Sequence, residues 1–74
     1  LRAEFYNHDG SPFIVAGRHA TTTLAEPLDY LYIPCKTKGG EMILYKFMRL
    51  AISDDNQVVL YALTKTREYE RGNA

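Results

Sequence analysis

The chain has 74 residues, 46% hydrophobic and 24% charged, with nine basic side chains against nine acidic ones. That length holds one small domain spanning residues 1–74, and that composition is globular rather than disordered. The charge balance argues against a dedicated duplex-DNA binder, because neutralising phosphates supplies most non-specific affinity, and no apolar run approaches the ~18 residues of a membrane span.

Small size limits the core. A domain near this length buries only about 60% of the surface its unfolded chain exposes, so self-association would help it. Six tyrosines and three phenylalanines give an aromatic supply that favours strands.

Turn signals punctuate the chain at Asp9-Gly10, Glu26-Pro27, Gly39-Gly40 and Asp54-Asp55-Asn56. "AEFYNH" and "PFIVAGRHA" read as strands around the first of these. Pro12 cannot donate to a ladder, which favours a four-residue loop from Asp9 to Pro12 and pairs His8 with Phe13. "TTTLAEP" follows, where Thr23 and Glu26 have the spacing of a capping box and predict one helical turn before Pro27. "LDYLYIPCKT" alternates Leu28, Tyr30 and Tyr32 with Leu31, Ile33 and Cys35. Both sets are apolar or aromatic, and Pro34 favours an edge position or a bulge.

"EMILYKFMRLAIS" is ambiguous. A helix over about 41–52 gathers Ile43, Leu44, Phe47, Met48 and Ala51 into one stripe. A strand puts Met42, Leu44, Met48, Leu50 and Ile52 on one face, with Lys46 breaking the pattern, and then buries Leu50 and Ile52. The double glycine before it and the acidic turn after it favour the strand. "QVVLYALTKT" is a plain strand, and the charged tail 68–74 is expected to fray.

The expected fold is mostly β. It is a small five-stranded antiparallel meander or partly open barrel, SH3-like or OB-like, with α+β as the alternative if 41–52 is helical.

Three chemical readings fail. His8, Asp9 and Ser11 are adjacent residue types of a catalytic triad, but a hairpin tip neither excludes water nor pre-organises them. His8, His19, Cys35 and Asp9 lack metal-ligand spacing, and the His8–Phe13 register sets the histidines roughly 20 Å apart at ~3.3 Å per residue. Gly39-Gly40 follows Lys38 instead of preceding a lysine, so it forms no phosphate cradle. No enzyme, metal or cofactor is expected.

Binding remains. Residues 1–34 carry a net charge of −2, while Lys36, Lys38, Lys46 and Arg49 against Glu41 give residues 35–50 a net of +3. With Tyr30 and Tyr32 on one strand face, these four cations form the expected partner surface. The leading expectation is a non-catalytic protein-binding module, a small regulator or phage-type inhibitor that occupies a surface of another protein or of its own copy. The alternative is a small barrel that stacks single-stranded nucleic acid on the tyrosines. The lone Cys35 and the lack of a visible leader fit a cytoplasmic protein.

Overall fold

The computed structural model describes the backbone of residues 1–70 and the side chains of residues 1–64. Seven strands occur: β1 (Arg2–Tyr6), β2 (Ile14–Val15), β3 (Arg18–His19), β4 (Thr21–Thr23), β5 (Tyr30–Lys36), β6 (Met42–Ile52) and β7 (Val58–Glu70). Five form one sheet in the order β4-β1-β7-β6-β5, curled into a half-barrel, and β2 pairs with β3 as a separate hairpin. No helix occurs among the described residues.

The mostly-β expectation holds, with one change of topology. β1 runs parallel to β7, so the sheet is mixed and not a pure antiparallel meander. A parallel pair needs a long crossover, and here the whole of β2 to β6 intervenes between the two partners. Segment 41–52 is the strand β6, antiparallel to both β5 and β7.

Three tight loops follow one recipe. Asn7 O accepts from Gly10 N at 3.0 Å, Thr37 O from Gly40 N at 3.0 Å, and Ser53 O from Asn56 N at 2.9 Å. In each, the donor residue has positive φ (93°, 88° and 58°). The left-handed residue turns the chain back into the ladder, and glycine or asparagine tolerates that conformation best. In the first loop Tyr6 bridges Pro12 and Phe13 N donates to Phe5 O, so the reversal centres on His8–Gly10. The expected loop from Asp9 to Pro12 and the His8–Phe13 pairing are therefore corrected.

Two further expectations change in the next segment. "PFIVAGRHA" is not one strand: Ala16 (φ 52°) and Gly17 (φ 79°) form a two-residue turn, with Val15 opposite Arg18 and Ile14 opposite His19. Two successive left-handed residues match the twist of a tight hairpin. His19 is thus opposite Ile14. No helical turn follows Thr23: Thr21–Thr23 is the strand β4, its β-branched residues pairing with Glu4, Ala3 and Arg2, and the chain from Leu24 to Pro27 is irregular. Strand β7 extends through Glu70, and the remainder of the tail expected to fray, 71–74, lies outside the described residues.

The core lies on the concave side. Ala3 and Phe5 of β1, Phe47 of β6, and Val59 and Tyr61 of β7 are buried, with Phe13 closing over them from the first loop. Phe47 meets Phe5 edge-on at 4.8 Å and Phe13 at 4.9 Å between ring centroids. On β5 the burial pattern alternates, with Leu31 and Ile33 packed inward and Tyr30, Tyr32, Pro34 and Lys36 exposed.

Strand β6 reverses the face expected for it. Ile43 and Phe47 are buried while Met48 and Leu50 are exposed. The register shifts between Arg49 and Ala51, so Leu50 is an extra residue opposite β7, and Ile52 beyond it is 37% exposed at the strand end. Leu50 and Ile52 therefore do not form the core that the strand reading assigned to them.

Candidate outer-face binding site

Among the described residues no further element covers the convex side of β5, β6 and β7. Tyr30 stands opposite Met48 and Tyr32 opposite Lys46 across the β5–β6 ladder. Tyr30, Tyr32, Met48 and Leu50 are 49%, 48%, 44% and 57% exposed, so one continuous stripe of large side chains faces solvent. Leu60 and Ala62 of β7 extend it, and with Tyr6, Met48 and Leu50 they line a hollow of about 600 Å³. The first loop forms one rim of that hollow through His8 and Gly10.

Among the described side chains, lysines accompany this stripe. The Lys46 ammonium lies 4.6 Å from the Tyr30 ring centroid and 6.0 Å from that of Tyr32. Such a cation over an exposed ring is stabilised by about 0.5–1 kcal/mol, and it holds the two rings apart in fixed positions. Lys36 is exposed at the far end of β5, opposite Met42, and Lys38 is exposed in the β5–β6 loop.

Arg49 is tied to a neighbouring loop. Its Nη1 donates to Pro27 O at 2.8 Å, and its Nη2 pairs with the Asp29 carboxylate at 3.0 Å. Its ladder neighbour Tyr61 donates its hydroxyl to Leu28 O at 2.6 Å. The two side chains grip the 24–29 loop that carries the chain from β4 to β5, and burial pushes the Tyr61 phenol above its ordinary pKa. Arg49 therefore orders that loop, and it lines a small hollow with Asp29, Tyr30 and Met48. The hydrogen bond from a charged donor contributes most, since Asp29 is largely exposed and screened. Arg49→Ala is expected to cost about 1–2 kcal/mol and to lower the thermal midpoint by several degrees, read by circular dichroism.

Of the six residues expected at the partner surface, the structure groups Tyr30, Tyr32 and Lys46, places Lys36 and Lys38 at one end, and sets Arg49 beside Tyr30 with its guanidinium tied to the 24–29 loop. Met48, Leu50 and Leu60 were missed. Lys46 was the available signal: a lysine amid an alternating apolar set marks that set as the solvent side.

The His8-Asp9-Ser11 stretch is a locked turn. Asp9 Oδ1 accepts from Ser11 N at 2.9 Å and from Ser11 Oγ at 2.6 Å, and these bonds hold its carboxyl below the ordinary range. Asn7 Nδ2 adds bonds to Ser11 Oγ and Pro12 O, each 3.0 Å. The serine hydroxyl is bound by aspartate, not by an imidazole that could take its proton. His19 Nε2 lies 2.8 Å from Phe5 O and its ring packs edge-on against Tyr6. Among the described residues no three His, Cys, Asp or Glu side chains cluster as metal ligands. Burial raises the pKa of the half-buried Cys35 thiol, which lowers its reactivity.

No helix among the described residues is long and apolar enough to cross a membrane. No family model, curated protein or solved structure matches this chain.

Proposed function

We propose that the protein is a non-catalytic binding module of the cytoplasm that regulates or inhibits another protein by covering part of its surface. The observation that supports this reading is the exposed stripe Tyr32, Tyr30, Met48 and Leu50 on an uncovered sheet face. Exposed apolar residues scattered singly are ordinary, but a contiguous patch with a polar rim marks an interaction surface. The tyrosines give rigid area at low entropic cost, and Lys36, Lys38 and Lys46 select an acidic rim on the partner and speed its approach.

Nucleic acid is the second reading, and the pairing of Tyr30 and Tyr32 beside Lys46 favours it. Two features weigh for protein instead. Lys46 already occupies the Tyr30 ring face on which a base would stack, and the stripe continues through Met48 and Leu50, which offer a base neither charge nor an aromatic plane. A salt titration separates the two, because single-strand binding weakens steeply as salt rises.

The test of the proposal is Tyr32→Ala. Its ring lies outside the core, so the thermal midpoint should stay within a few degrees of wild type. Affinity for the protein partner that the wild type retains should fall at least tenfold by titration calorimetry. Unchanged affinity would remove the outer face from consideration, and binding of oligonucleotides alone would install the second reading.

A further inference from the structure

The half-barrel does not close. Its edge strands β4 and β5 flank a groove of about 600 Å³ whose apolar lining includes Phe5, Leu24, Leu31 and Ile33. The pairing directions fix how these edges relate. β4 opposes β1, β1 parallels β7, and β7 and β5 both oppose β6, so β4 and β5 run antiparallel across the opening.

The register also fixes which backbone groups face the groove. Arg49 N donates to Asp29 O and Thr37 N to Glu41 O, so the odd residues of β5 bond β6. Tyr30, Tyr32, Pro34 and Lys36 therefore turn their backbone groups to the opening. On β4, Leu24 N donates to Leu1 O and Phe5 N to Ala20 O, which turns Thr22 to β1 and leaves Thr21 and Thr23 on the free edge. Pro34 sits where its missing N–H costs the sheet nothing.

Charge along the opening is graded. Arg18 lines it at the end where β4 begins and β5 finishes, and Lys36 is exposed at that same end. Arg18 has no ion pair among the described residues. Glu26 and Asp29 lie at the opposite end, in the loop joining β4 to β5.

We propose that this opening takes an extended segment of a partner protein, which adds to β5 as a further strand. Its alternate apolar side chains fill the groove, and acidic residues at one end meet Arg18 and Lys36. A row of free backbone donors and acceptors selects an extended chain, and the groove and its charged end select the side chains. A second copy of this chain fits less well. Paired edge to edge along β5, each copy places Pro34 in the shared ladder and loses a donor there. The inference does not rest on the outer-face reading, since the groove is walled by Phe5, Leu24, Leu31 and Ile33 and takes only Tyr32 from the outer stripe.

The experiment uses two capped octapeptides of alternating valine and threonine, one ending in two aspartates and the other in two lysines. Amide hydrogen exchange of the 74-residue chain is followed by NMR up to about 1 mM peptide. The aspartate peptide should slow exchange at Tyr30, Tyr32 and Lys36 at least tenfold and bind about five times more tightly than the lysine peptide at low salt. Arg18→Glu, an exposed substitution, leaves that end with no net charge beside Lys36 and should erase the preference, and Leu50→Asp should leave it intact. Absent protection on β5, equal affinity for both peptides, or perturbations confined to Met48 and Leu50 would overturn the proposal. A dimer whose β5 amides are protected without peptide would overturn it in favour of a second copy.

Discussion

Phe47→Ala should leave the chain largely unfolded at room temperature. The Phe47 side chain is fully buried at the centre of β6, in edge-on contact with Phe5 and Phe13, with Leu31 opposite it on β5 and Leu63 opposite it on β7. Removing a buried phenylalanine ring costs about 3–5 kcal/mol, as lost transfer energy plus a cavity the neighbours cannot fill. Folded domains hold only roughly 0.05–0.15 kcal/mol per residue, and a chain this short sits low in the total range. Denaturant titration with far-ultraviolet circular dichroism checks it: the wild type should show a cooperative transition and Phe47→Ala little or none. Phe47→Leu, which keeps most of the volume, should remain folded with a lower midpoint. A near wild-type transition for Phe47→Ala would mean that the Phe5–Phe13–Phe47 cluster is not what holds the sheet together.

Phe47 also shows how far the sequence could be read. Segment 41–52 was legible as a strand from its bracketing turns, but the choice of face was not. Met42, Leu44, Met48 and Leu50 make the longer apolar set, and chain-local reasoning assigns the longer set to the core. The structure buries the other set, because Phe5, Phe13 and Tyr61 assemble around Phe47 from distant parts of the chain. The parallel β1–β7 pair was illegible for a related reason. No local pattern in Arg2–Tyr6 says that its partner starts at Val58. The Ala16-Gly17 turn hid behind an alanine, a residue that rarely adopts positive φ.

The site was more legible than the topology. Period-two alternation alone put Tyr30 and Tyr32 on one face, and the register adds Lys46 opposite Tyr32 with its ammonium over the Tyr30 ring. Arg49 counts toward the same basic segment and borders Tyr30, but its guanidinium is engaged by the Pro27–Asp29 loop. That contact spans 22 residues, which spacing within one strand cannot reveal. The groove between β4 and β5 was invisible for the same reason, since the Thr23–Glu26 spacing points to a helical turn and hides the edge strand Thr21–Thr23.

Leu50→Asp should do the opposite of Phe47→Ala, although only three residues separate the two positions. Leu50 is the extra residue of the register shift, more than half exposed, and its loss removes no core contact. Its effect on stability should stay within about 0.5 kcal/mol, as for other surface substitutions. Its effect on the partner complex should be large. A carboxylate at the centre of an apolar stripe must be desolvated on binding without a counter-charge, since the nearest cation of the patch, Lys46, is held over the tyrosine rings. Affinity should fall at least thirtyfold, equivalent to about 2 kcal/mol. Titration of wild type and variant against one partner, with thermal melts of both, measures the two effects separately. A variant that melts normally and binds normally would eliminate the stripe as an interface. One that melts early would mean that Leu50 packs inward, as the alternating pattern of β6 first implied. A fold intact with binding lost assigns the two faces of β6 different work: the Phe47 side holds the sheet, and the Leu50 side meets the partner.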